Sequence, residues 1–442
     1  MQEKTCAEEI RDRIYDFFIK SNDFNGIPLR RISKEFNIGY EDSIDHIKKL
    51  VTENSVSIQS SSNPHIIGFQ HYPVESQLKI LDDAKGITEK IEKFGEIAFS
   101  VENTEYPICL YPSQNYIKAN RDLSIYGTAE YTKQLALCEP QLSPKFFEIE
   151  VLERYSNDPR FDFDFKDYSG SISCKYDDND KPIVREEDQV FLKSFGLGFD
   201  SEGNRLAVVF LRYLKDLTSE HQLFWKSKEI TGGCKILEEY YENAIKGNWT
   251  TSYSVFSAFI GELNCLTELS EHIFGVRLFN RSFEEDKRPK AFTFFFIPTL
   301  KNYNDFILLL DKMLSENINK DFFRENIDLY ELIPLMNNQV ERKSKGTLKL
   351  LEEWLLSTYN HPDSKIIKDL LKPLKNVRNE RQNPAHKISE DNYDLKYIDM
   401  QMEMVNSCYS SIRALRTIFQ QHPKAKDFGI PDWLGNGKIK SF

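Results

Sequence analysis

Apolar residues recur at three-four spacing through the first fifty positions. Ile10, Ile14, Phe17 and Phe18 share one side of residues 7–20, Leu29, Ile32 and Phe36 follow Pro28, and Ile44, Ile47, Leu50 and Val51 repeat the period over 40–53. One apolar face every 3.6 residues predicts three compact amphipathic helices. Ser55–Gln59 and His65–Gln70 are short β-like runs around a turn-rich connector at 60–64. Residues 73–105 read as a polar helical connector through Leu78, Ile80, Leu81, Ile87 and Ile91. Farther on, Phe146–Tyr155, Arg205–Leu217 and Ile236–Ile245 are predicted to be helical. Phe161–Lys166 alternates Phe with Asp or Lys, the mark of a half-buried strand, and Ser171–Tyr176 and Pro182–Arg185 are placed to pair around 177–181. The last third is periodic over Tyr303–Leu314, Gly346–Tyr359, Ser364–Glu380 and Tyr393–Gln421, with breaks at 360–362 and at Pro384. Short connections between such helices predict a four-helix bundle.

Helix, helix, helix, hairpin over residues 1–72 resembles a winged-helix domain, which implies a third helix presented to the DNA major groove. Here that helix opens with Glu41, Asp42 and Asp45, whose carboxylates would oppose phosphate. A structural or protein-contact role is therefore expected for this region. The fold class expected of the whole chain is multidomain and mainly α. It divides into a winged-helix-like start (1–72), a helical connector (73–105), a central α+β domain (106–300), a helical bundle (301–425) and a tail (426–442).

A chain of 442 residues with 40% hydrophobic and 13% aromatic positions is large and apolar enough for more than one core. Its apolar runs fall short of the ~20 residues of a membrane helix, and the charged start lacks the pattern of a signal peptide. A cytoplasmic protein without membrane contact is expected. Seven scattered cysteines with no CxxC pair suit reduced thiols. The net charge of −11 is unevenly spread, because Val340–Phe442 holds 18 Lys and Arg against 13 Asp and Glu. Contact with a polyanion is thus expected of the last hundred residues.

Most sequence-visible chemistry is missing. There is no GxxxxGK[ST], HExxH or GxSxG, and Gly196-Leu197-Gly198 lacks the third glycine of a dinucleotide fingerprint. Asp158, Asp162, Asp164 and Asp167 are read as strand and loop carboxylates, not as a metal site. Asp177–Asp180 begins like a calcium loop but has Pro182 where that loop needs glycine, so a turn is expected. Glu220 with His221, beside Trp225, is read as a half-buried histidine, and Cys265 with His272 lacks a third group.

What stands out is Asn376-Val377-Arg378-Asn379-Glu380-Arg381-Gln382-Asn383-Pro384-Ala385-His386-Lys387. Arg381, four residues and His386 form the Arg-x4-6-His pattern, at the end of one long helix in the basic, helical third of the chain. A second such spacing, Arg416 to His422, falls at the end of the final helix. In its context the Arg381 segment resembles the HEPN superfamily, whose active members are metal-independent endoribonucleases. Pro384 ends the helix near Gln382 and lets the chain turn His386 back toward Arg381.

The resemblance implies catalytic roles for Arg381 and His386, with no metal and no cofactor. His386 would serve as base or acid toward the 2'-hydroxyl and the leaving oxygen, and Arg381 would hold the phosphoryl charge. Lys375, Arg378, Asn379, Asn383 and Lys387 are the expected RNA contacts. The family's motif commonly has Asn, Asp or His after the arginine, whereas Gln382 stands here. Two copies usually meet across a dimer, so RNA and a second copy of the chain are the expected partners, with a regulatory partner or ligand at the central domain. By analogy such architectures resemble regulated toxins or antiphage defence effectors. The alternatives are a winged-helix DNA-binding regulator and a non-catalytic HEPN binding or scaffold protein.

Overall fold

The computed structural model describes residues 4–21, 24–59, 72–249, 253–283, 288–334, 339–359, 364–382 and 390–440. The architecture is mixed and helix-rich, and the chain divides into two compact units. The first comprises 1–151, 158–162 and 170–248, and the second 152–157, 163–169 and 249–442.

The first unit opens with α1 (Cys6–Lys20), α2 (Leu29–Phe36) and α3 (Tyr40–Thr52), the three helices that the periodicity predicts. Thr5 caps α1 reciprocally with Glu8, satisfying two backbone donors that a helix start leaves free. Around them lie the strands β1 (Ile27–Pro28), β2 (Val56–Ile58), β3 (Glu89–Phe94), β4 (Ile97–Glu102) and β5 (Cys109–Pro112), with α4 (Val74–Asp83) between β2 and β3. β5 lies between β1 and β2 and is antiparallel to both, pairing Leu110 with Ile27 and Tyr111 with Ser57. Ile10, Ile14, Ile32, Ile44, Ile47 and Leu110 form the core beneath, joined by Leu81 of α4.

The expected strand at His65–Gln70 lies outside the described residues, and the partner of β2 is β5. The helix expected over 73–105 extends only through α4 and a short turn, after which β3 and β4 form an antiparallel hairpin. Ile97, Phe99 and Val101 alternate, and Gly95 supplies the positive φ of 63° at the turn.

The rest of this unit is built on an antiparallel sheet. Its strands are β6 (Pro144–Glu148), β9 (Phe191–Phe199), β10 (Arg205–Phe210), β11 (Glu229–Ile230) and β12 (Lys235–Ile236). β10 sits between β6 and β9, β11 lies outside β6, and β12 pairs with β9. β7 (Phe161–Lys166), whose residues 163–166 belong to the second unit, alternates buried Phe with exposed Asp as its sequence predicts, and β8 (Ser169–Cys174) follows. Two expected helices, Phe146–Tyr155 and Arg205–Leu217, begin as strands and are helical only in their later parts. Arg205–Phe210 is β10, and only Leu211–Leu214 beyond it is helical; Pro144–Glu148 is β6, with helical turns after it. Residues 206–210 are all buried, so their unbroken apolar run carries no period to tell strand from helix.

Gly196 on β9 faces the buried Tyr240 ring, where a methyl would stand 2.1 Å from Cγ. That ring stacks on Phe210 at 5.5 Å, and its hydroxyl meets Ser194 Oγ at 3.1 Å. Neither neighbour leaves it room to retreat. Gly196→Ala is therefore expected to destabilise the protein by about 1–3 kcal/mol through overpacking, measured as a lower urea midpoint at unchanged slope.

The second unit contains the helices α5 (Val255–Phe274), α6 (Leu300–Met313), α7 (Thr347–Thr358), α8 (Ser364–Gln382) and α9 (Lys396–Gln420). The last four match the periodic segments of the sequence. α5 precedes the boundary drawn at residue 300 and packs along α9. Within that pairing, Glu262 of α5 is fully buried against Arg416 of α9, whose Nη2 donates to Oε1 at 2.9 Å and whose Nε donates to Oε2. Trp354, Phe322 and Phe419 pack on one another, with ring centroids of Phe322 and Trp354 5.0 Å apart.

A second buried polar group surrounds Asp167, held at φ 57° after β7. Its Oδ1 accepts from Ser257 Oγ at 2.7 Å and from Ser254 Oγ, and Arg288 Nη1 approaches at 3.5 Å. Arg288 Nη2 also donates to the Phe165 carbonyl at 3.0 Å. Ser254 is at once the N-cap of α5, so one carboxylate orients the start of that helix.

Candidate nucleic-acid site at the end of α8

Ile367, Leu371, Leu374 and Val377 form the buried stripe of α8. Arg378 and Arg381 stand four and seven residues after Leu374, so they prolong that stripe at the helix end, where a cation also meets the negative end of the helix dipole. Opposite them is the last turn of α6. Asp311 falls four residues after Ile307 and is completely buried together with Ser315.

Arg381 Nη1 donates to Asp311 Oδ2 at 2.6 Å and to Glu316 Oε1. Ser315 Oγ donates to Asp311 Oδ1 and accepts from Arg378 Nη1 at 3.0 Å. Thr347 Oγ1, at the start of α7, donates to the Ser315 carbonyl at 2.6 Å. The buried Asp311–Ser315 pair thus ties together the end of α6, the start of α7 and both arginines of α8. A buried charge is tolerated only when paired in this way. The hydrogen bonds it donates to Asp311 and Glu316 hold the Arg381 guanidinium above its ordinary pKa.

The guanidinium is fixed on one side and open on the other. Its side chain is 34% exposed, and Nε and Nη2 donate to nothing among the described residues. Two parallel donors in a fixed plane match two oxygens of a phosphate or carboxylate.

The other expected contacts are distributed unevenly. Lys375 pairs with Glu352 of α7, Arg378 is partly engaged through Ser315, and Asn379 is exposed one turn before Gln382. Asn383, His386 and Lys387 lie outside the described residues. Sequence reasoning missed Asp311, Ser315 and Glu316. The available signal was Asp311, a charged residue in register with Phe306, Ile307 and Leu310 on the apolar face of α6.

Tyr303, on the same helix, stacks on Tyr397 of α9 at 5.7 Å. Burial, reinforced by the negative charges of Glu380 and Glu403, pushes its hydroxyl up to about 12. It therefore stays protonated across the physiological range.

The remaining candidates resolve into structural roles. Arg416 of the second Arg-His spacing is buried against Glu262, while His422 packs on Phe274 and caps the turn at Lys424. Asp158 pairs with Arg160, and Asp167 belongs to the buried group at the start of α5. Asp177 Oδ1 accepts from the backbone of Asn179 and Lys181, completing a turn. His221 is buried in a capped helix beside Trp225. His272 Nε2 lies 3.0 Å from the Lys424 carbonyl, and burial raises the Cys265 thiol to about 11, which suits an inert core cysteine. Comparison with family models, curated proteins and solved structures finds no significant match to this chain.

Proposed function

We propose that the chain is a metal-independent endoribonuclease of the HEPN type, with Arg381 and His386 as its catalytic pair. The observation that carries this reading is the Arg381 guanidinium, braced by a buried carboxylate on one edge and open on the other, five residues before His386. Such a group binds the phosphoryl oxygens and stabilises the charge that grows on them, while an imidazole moves the proton of the 2'-hydroxyl. Arg378, Asn379, Asn383 and Lys387 supply further contacts to the strand. Lys375 contributes only by exchanging Glu352 for phosphate.

In this reading the site is shared between two copies of the chain, and the remainder of the protein regulates it, as in a toxin or antiphage effector. The order β1-β5-β2 behind α1–α3 supports a winged-helix-like start. Its basic side chains are already engaged. Arg30 is held by Glu102, and Arg13 and Arg31 by Glu35, which favours a protein-contact role over DNA binding.

The direct test is cleavage of single-stranded RNA by the full chain after chelator treatment, with DNA of the same sequence as control. Cut RNA and intact DNA are expected. Failure to cut any RNA in dimer-forming conditions would leave a binding role for the bundle. Asp311→Asn removes the charge that braces Arg381 while keeping its shape, and is expected to slow cleavage about tenfold with KM little changed.

A further inference from the structure

The second unit contains a cavity of about 190 Å³ near the start of α6. Phe294, Phe295, Phe296 and Phe306 give it apolar walls, and Glu153, Asn302, Asp305 and Lys290 supply its charged and amide groups. Phe295 stands edge-on to Phe306 at 5.8 Å within that aromatic wall.

The polar groups are unbalanced in one direction. Glu153 Oε1 accepts from Asn157 at 2.7 Å and from Asn302 at 2.9 Å. The Asn302 amide nitrogen spends its other hydrogen on the Ile297 carbonyl at 2.8 Å. Glu153 Oε2, Asn302 Oδ1 and the Asp305 carboxylate accept no hydrogen bond from the described residues. Ser156 Oγ donates to the Glu153 carbonyl at 3.2 Å, which leaves Lys290 as the lining's cation. A lining rich in free acceptors, with two carboxylates against one ammonium, selects a ligand rich in donors. The phenyl walls select one that is flat, and they attract positive charge to their faces.

We propose that this cavity binds a small planar ligand through an N–C–N edge bearing two parallel N–H donors, set against Glu153 and Asn302 between the phenylalanine rings. Both a guanidinium or amidinium group and the N1/N2 edge of guanine carry that chemistry. The proposal does not depend on the ribonuclease reading, because none of these residues belongs to the Arg381 site.

The test is calorimetric titration of the full chain with two probes, benzamidine for the cationic source and guanosine for the neutral one. At least one is expected to bind with Kd below about 1 mM. Glu153→Gln should weaken it tenfold or more, and Phe295→Ala severalfold. Asp305→Asn, an exposed change that leaves folding intact, should weaken benzamidine more than guanosine and so identify the source. Absence of binding by both probes at 10-fold higher concentration, or affinities unchanged in both Glu153→Gln and Asp305→Asn, would overturn the proposal.

Discussion

Replacing Arg381 or His386 by alanine is expected to lower the RNA cleavage rate by roughly 10² or more, with thermal stability unchanged in the His386 variant alone. The two losses have separate origins. Arg381→Ala removes the open pair of donors and leaves Asp311 with its Ser315 bond but without its cation, so a modest fall in stability accompanies the kinetic effect. His386→Ala removes only the proton carrier. Cleavage should survive chelator, and its products should carry cyclic phosphate or 3'-phosphate ends, since the attacking group is the neighbouring 2'-hydroxyl. Wild-type rates in both variants, or activity that disappears with chelator, would remove these residues from the chemistry.

The largest expected loss of stability comes from the other arginine of an Arg-His spacing. Arg416→Ala leaves the fully buried Glu262 carboxylate with only the half-exposed Arg413, whose Nε is 4.0 Å from its Oε1, and is expected to cost about 3–5 kcal/mol in urea unfolding. Replacing both residues by leucine should restore most of that, because a well-packed apolar pair avoids desolvating two charges. Cleavage per folded molecule should stay at the wild-type level. A cost under about 1 kcal/mol for Arg416→Ala would show that water reaches Glu262.

These two arginines show what the sequence disclosed and what it hid. Both satisfy the same spacing, and nothing local says that one meets a buried glutamate while the other keeps an open edge. The distinction depends on Glu262 and Asp311, which are 154 and 70 residues away from their partners. Helices with one wet face, such as α1, α3 and α8, were legible because their burial follows a 3.6-residue period. α5 was not, since it is buried on nearly every side and shows no stripe. β10 was hidden for the same reason, and β5 because the strand that completes the first sheet comes long after β2. The acceptors of the Phe294–Phe296 cavity were equally hidden, as Glu153 and Asn302 meet only in the folded chain.

Asp167 ties the history of the chain to its final form. Its three partners, Ser254, Ser257 and Arg288, all leave the ribosome well after it does. The 163–169 segment must therefore wait, with its carboxylate in water, until α5 has been made. Long-range closure of this kind slows folding. It also means that a fragment cut to begin at 249 would carry Arg288 into a core with no counter-charge, so the helical unit is not separable from the earlier chain by a single cut.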